Sequence, residues 1–298
     1  MISVGRILDG TFGVFRAHPV AVAIWGGIYL AGNVAMLLVM QPMMAAALNP
    51  AMSAGPAAMM SMMGPMWLLS LLLGLVGLVL YTAAMRSVLR PGAGGVAFLR
   101  LGLDELRMFV LLILFAVAAF ALIFAASLVL GLFSAGVAAG SDSVATVVIF
   151  SILIGVIIFA AMIYLTIRFS LAFPLTLHRG AFAIGEAWRL SRGHFWTLFG
   201  AALVVSVIGF ILSMAINLVA MGSYFGDILA AAGNPDATML AAERQAARVG
   251  RLSAVMVLQS IGGALVAAVW IALSGGSVAS AARLLVEDDF EDAEDVFG

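Results

Sequence analysis

Guanidinium is the chemistry this sequence carries in quantity: all 14 basic residues are Arg, and imidazole is confined to His18, His178 and His194. An Arg fork grips phosphate or carboxylate with two parallel hydrogen bonds, so what matters is whether the arginines recur in a pattern. They do. Phe12-Gly-Val-Phe-Arg16-Ala-His18 matches Trp188-Arg-Leu-Ser-Arg192-Gly-His194 in its aromatic, Arg and His positions, and Arg107 takes the equivalent place in a middle copy where Phe109 replaces the His. Carboxylates stand at helical distance: Asp9 from Arg6, Asp104 from Arg100 and Arg107, Glu186 from Arg189. One reading is a cradle in which the acids hold Arg16, Arg107, Arg192 and Arg189 in register for a lipid phosphate or a partner. The plainer one, which spacing alone favours, is helix-surface pairing worth roughly a few tenths of a kcal/mol per pair.

Other donor sets are weaker. The three His with Glu186 hold metal-binding atoms, but no His pair has the i, i+4 spacing of a helical metal motif, and each His lies within two residues of an Arg that repels a cation. No metal or cofactor is expected. Nine of the 18 Met fall between Met40 and Met66, among them Met43, Met44, Met52, Met59, Met60, Met62 and Met63. Thioethers bind Cu(I), yet without steady spacing this stretch reads as a flexible apolar loop. With no Cys there is no disulfide, thiolate site or Cys nucleophile.

The elements that must position the arginines follow from composition. Of 298 residues, 64% are hydrophobic and 10% charged, with a mean hydropathy of +1.20; soluble domains carry about 25% charged residues. Soluble enzyme folds are excluded, because their surface needs more polar cover than this chain owns. A net charge of −1 gives no support for nucleic-acid binding. Six uncharged apolar runs, 19–40, 66–85, 108–133, 145–167, 195–221 and 252–273, each suffice to cross a membrane, since a hydrocarbon core of about 30 Å needs about 20 helical residues. The first is too long for the apolar core of a signal peptide and reads as an uncleaved span.

Eleven of the 14 Arg fall before the first span, in the second and fourth connections or after the sixth; the other three, Arg244, Arg248 and Arg251, lie in the fifth connection. The positive-inside rule then places both termini in the cytoplasm. Three cytoplasmic stretches precede the odd-numbered spans, and each predicts an amphipathic interfacial helix, with Val4, Leu8, Phe12 and Phe15, then Leu99, Leu103, Leu106 and Val110, then Ile184, Trp188, Ser191 and Phe195 on the faces opposite the charges. The even-numbered spans end alike at Arg86, Arg168 and Arg283, and the spacings from Arg16 to Arg107 and from Arg107 to Arg192 are 91 and 85 residues. The expectation is an all-α integral membrane domain over 1–285: six transmembrane helices as three hairpins, each introduced by an interfacial helix, in repeat units of about 2–90, 91–175 and 176–285. The stretch 237–250 is expected to be a helix ahead of the last span, and seven acids make 286–298 an expected disordered tail able to meet a basic partner.

Arg168-Phe-Ser-Leu-Ala-Phe-Pro174, a turn with Arg179, and Ile184-Gly-Glu-Ala-Trp-Arg-Leu-Ser-Arg-Gly-His-Phe-Trp196 leading into a span resemble the membrane domain of bacterial glycerophosphoryl diester phosphodiesterases and related multispan bacterial membrane proteins. Ile7-Leu-Asp-Gly-Thr-Phe-Gly-Val-Phe-Arg-Ala-His-Pro19 resembles the opening of the same proteins. The resemblance covers about residues 2–285 and implies a six-span fold in a bacterial inner membrane. It does not transfer catalysis, which in the two-part members belongs to a separate barrel of about 250 residues, for which the six spans leave no room.

Three functions then compete. The first is a non-catalytic protein that organises anionic phospholipid, or a membrane or cytoplasmic partner, through Arg16, Arg107, Arg192, Arg189 and Glu186. The second is a transporter or flippase-like conduit for a lipidic substrate, in which Asn33, Ser70, Ser127, Asn217 and Gln259 are the polar side chains within the spans. The third, an enzyme acting on phospholipid derivatives, ranks lowest because no nucleophile, base and orienting group occur together, and no catalytic residue is expected.

Overall fold

The structure is a computed structural model that describes residues 2–47, 56–93, 95–140, 144–230 and 254–297. Among these the chain is helical and contains no strand. The helices are α1 (Val4–Ala17), α2 (Pro19–Ala47), α3 (Pro56–Leu89), α4 (Leu103–Gly140), α5 (Val144–Phe169), α6 (Ala172–Arg179), α7 (Ile184–Leu190), α8 (Phe195–Ala230) and α9 (Ala254–Phe297), with one 3₁₀ turn at Val96–Phe98. Five of the six apolar runs each lie within a single helix, and the sixth does from Ala254 onward; α2, α3, α4, α5, α8 and α9 are long and apolar enough to cross a membrane. A spanning segment must satisfy its backbone internally, which an α-helix does. Large side chains such as Phe120 and Ile149 stay 71% and 65% exposed; a contiguous face of that kind belongs against lipid and not water. The protein is therefore a multi-pass membrane protein.

Three local expectations change. Ahead of the third span no separate helix forms over 99–107. Val96–Phe98 makes a 3₁₀ turn, Leu99 is extended, and α4 starts only at Leu103. Glu105, at the third position of α4, accepts a 3.0 Å hydrogen bond from the Gly102 N–H in front of it, so the charged stretch becomes the capped first turn of the span itself. Helix also replaces loop on both sides of the Met-rich connection, where α2 continues to Ala47 and α3 begins at Pro56, as strong helix formers such as Ala and Met favour. The acidic stretch expected to be disordered continues α9 as helix to Phe297, extending a helix already nucleated by the span. The expected helix over 237–250 and the position of Met52 lie outside the described residues.

The chain forms two compact units. One comprises Met1–Leu8, Leu101–Ala202 and Val278–Gly298, and the other Asp9–Arg100 and Leu203–Ser277. In the first, Leu111, Leu171, Leu175, Ala187, Leu198 and Leu285 are buried together, and α4 meets α5 through the Ser134 and Ser151 hydroxyls at 3.2 Å. In the second, Trp25, Leu80, Ala84 and Ile271 form the core. There the Trp25 indole N–H donates to the Ala97 carbonyl at 3.1 Å, and Arg86 donates to the Phe98 carbonyl at 2.7 Å.

Candidate functional site

One group of residues able to bind an anion lies in the first unit, around the junction of α5, α6 and α7. Tyr164 and Arg168 lie one turn apart on α5, so both project from one face. After α5 the chain bends at Ser170, whose hydroxyl donates to the Ile167 carbonyl at 2.8 Å, and α6 carries it to Gly180. That glycine adopts a left-handed φ of 66° and donates to the Thr176 carbonyl, closing α6. Thr176 also accepts from the Ala183 N–H at 3.2 Å, which sets the start of α7.

The return through α7 brings Trp188 over Arg168, with the guanidinium carbon 4.2 Å from one ring centroid of the indole and 5.8 Å from the Tyr164 ring. Phe169 packs against the same indole at 5.2 Å. Arg168 is only 4% exposed, and Ser191 beneath it is fully buried. Nη1 of Arg168 donates to the Ser191 hydroxyl at 3.1 Å, and that hydroxyl donates in turn to the Trp188 carbonyl. Nε of Arg168 is buried with no hydrogen-bond partner. Among the described residues no carboxylate pairs with this guanidinium. His194 Nδ1 and Ser280 Oγ, in the same unit, are likewise buried without partners.

An outer set of arginines behaves differently. Arg179 holds Glu186 through two nitrogens, the shorter contact being 2.7 Å, Arg189 reaches Asp289 at 3.2 Å, and Arg107 pairs with Asp104 at 3.2 Å. All three cations keep at least a third of their side chain exposed or close to it, so these pairs are worth little.

Of the five residues singled out from sequence, Arg107, Glu186, Arg189 and Arg192 belong to the first unit, whereas Arg16, exposed on the last turn of α1, belongs to the second. Glu186 does not take its helical neighbour Arg189. Arg179 reaches it across the Gly180 turn with a side-on fork, a better geometry than an i, i+3 pair on a seven-residue helix. Among the described residues no group of three His, Asp or Glu is placed to hold a metal ion, and His18 packs edge-on against Phe98 at 4.7 Å. The residue that sequence reasoning passed over is Arg168; the available signal was an aromatic one turn before an Arg at the end of a span. Compared with protein-family models, curated proteins and solved structures, the chain finds no match.

Proposed function

We propose that this is a non-catalytic multi-pass protein of a bacterial inner membrane, with cytoplasmic termini, that organises anionic phospholipid, and through it partner proteins, at its Arg-bearing face. The observation that carries this reading is Arg168, a buried guanidinium whose Nε has no hydrogen-bond partner and which pairs with no carboxylate among the described residues. Burying such an ion costs several kcal/mol even after relaxation. The aromatic faces return about 2 kcal/mol, and the hydrogen bond to Ser191 about 1.5–3 kcal/mol. Nε remains unmet, at a further cost of about 1–3 kcal/mol. A phosphate oxygen supplies both the missing acceptor and the missing charge. Arg168 stands at the end of a span, where headgroups lie, and each exposed Arg near an anionic surface adds about 1 kcal/mol of attraction.

The wider architecture of the proposal is three helical hairpins with interfacial helices ahead of them. It draws support from α1 and α7, which directly precede α2 and α8. Consecutive spans also approach each other closely, Gly32 beside Leu73 for α2 and α3, and Gly262 beside Ile216 for α8 and α9. The likeness to the phosphodiesterase membrane domain enters as a proposal for architecture and brings no catalytic residue.

The test is native mass spectrometry of the whole protein extracted in mild detergent with added phosphatidylglycerol. Wild type is expected to retain the lipid and to melt at a higher temperature in its presence. Arg168→Met, which fills the same space without charge, is expected to melt no lower in plain detergent yet to lose both effects. Arg168→Lys should recover only part, because an ammonium cannot bind side-on. Equal retention by wild type and Arg168→Met would overturn the reading.

A further inference from the structure

The second unit contains a cavity of about 790 Å³ bounded by α2, α8 and α9, and every residue lining it lies within the apolar spans. Its size suits a drug-sized or lipidic ligand. Its chemistry is unlike that of the Arg168 site, since among the described residues the lining contains no Asp, Glu, Lys, Arg or His. The polar groups are amides and hydroxyls, and they are not evenly spread.

The register of the two long helices shows where they gather. Gly209 lies against Trp270, and Gly262 lies 2.8 Å, measured from an added Cβ, from Ile216. That antiparallel pairing sets Asn217 level with the turn that begins at Gln259. Asn33 of α2 reaches the same level, its amide donating to the Ser260 carbonyl at a long 3.5 Å. Three amides therefore meet at one end, with Asn217 and Gln259 exposed. Eleven residues further along each helix the wall is made by Trp270 and by Ser206, which at 1.5 Å per residue is about 16 Å away. That length is about half of a 30 Å hydrocarbon core, the depth of one leaflet.

The Asn217 amide N–H already donates to the Ser213 carbonyl at 2.8 Å, as that of Asn33 does to Ser260, so these two side chains offer a ligand chiefly their carbonyl oxygens. An unmet polar group in hydrocarbon costs several kcal/mol, and the amide end therefore calls for an uncharged hydroxyl donor and the rest of the cavity for a chain. We propose that this cavity binds a neutral lipid with a hydroxyl-bearing head, of the diacylglycerol chemical class, its head at Asn33, Asn217 and Gln259 and its acyl chain alongside Trp270. In the orientation proposed above the head lies in the outer leaflet, but selection against charge does not depend on that orientation. Charge is disfavoured because the described lining offers a phosphate no cation, leaving it to shed its water against amides and hydroxyls.

The experiment uses the whole protein in phosphatidylcholine nanodiscs loaded with 1,2-dioleoylglycerol or with phosphatidylglycerol, read by native mass spectrometry after release. Wild type is expected to carry one dioleoylglycerol, and the double variant Asn217→Leu with Gln259→Leu to lose it by more than tenfold. Leu is well tolerated in a span, so folding should survive. Arg168→Met should keep the dioleoylglycerol while losing phosphatidylglycerol, which separates failure of this site from failure of the headgroup site. As a readout free of variants, a diazirine-bearing diacylglycerol should crosslink to peptides from 206–217 and 259–270. Undiminished retention in the double variant, absence of bound dioleoylglycerol in wild type, or crosslinks confined to other helices would each overturn the proposal.

Discussion

The indole of Trp188 lies 4.2 Å from the Arg168 guanidinium carbon, close enough that removing either residue changes what the other is worth. A double-mutant cycle isolates that term. Trp188→Leu is expected to lower stability by about 2 kcal/mol or more, from lost aromatic packing and cation–π attraction together. In an Arg168→Met background the same change should cost about 1–2 kcal/mol less. Thermal unfolding in one fixed detergent measures all four proteins, and additive effects would mean that the ring merely fills space. None of this was legible at Arg168 alone. Its ring partner lies 20 residues downstream and reaches it only because Gly180 reverses the chain between them. The pairing of Glu186 escaped for the same reason, since sequence distance favours Arg189 while the turn delivers Arg179.

At the scale of elements, the turn itself is the piece to break. Gly180 has φ of 66°, a conformation that costs an L-residue about 1–2 kcal/mol and that Asn tolerates better than a β-branched residue. Gly180→Val is therefore expected to lower the melting temperature and weaken phosphatidylglycerol retention together, with Gly180→Asn close to wild type; equal effects from the two would show that backbone strain is not the cause. A second weak point is the approach of α9 to α3, where an added Cβ at Gly275 would stand 2.8 Å from the Ala84 Cβ and 3.3 Å from the Tyr81 carbonyl oxygen. Neither atom can rotate away. Gly275→Leu should therefore destabilise the second unit while leaving Arg168-dependent lipid binding in place, and a variant that melts like wild type would disprove so close an approach. The spans could be read from sequence because about 20 uncharged apolar residues admit few other fates. The stretch ahead of the third span could not. Its alternation of Leu and Arg fits a helix, but the positive φ values at Gly95, Ala97 and Phe98 interrupt one, and nothing in charge spacing reports that.

For the whole molecule, orientation is the property on which the headgroup proposal leans most. Eleven of 14 Arg fall on one side of the proposed six-span topology, and moving that many guanidinium groups to the other side opposes the insertion bias that sets topology. Arg16, Arg107 and Arg192 should then act together as a surface charge. Replacing all three with Gln is expected to remove about 3 kcal/mol of attraction for phosphatidylglycerol at low ionic strength and little at 1 M salt, where charges more than about 3 Å apart are screened. Arg168, being buried, should keep its lipid at either salt concentration. The natural absence of Cys makes the orientation itself directly measurable, because a single introduced thiol is the only target for a sulfonated, membrane-impermeant maleimide. Gly185→Cys places that thiol on an exposed position of α7, and Ser141→Cys places it in the third connection. In intact spheroplasts Ser141→Cys should be labelled and Gly185→Cys protected until the membrane is opened. The opposite result would turn the Arg-bearing face outward and move the amide end of the second cavity to the inner leaflet. Labelling of both would contradict the single crossing, by α5, that separates them.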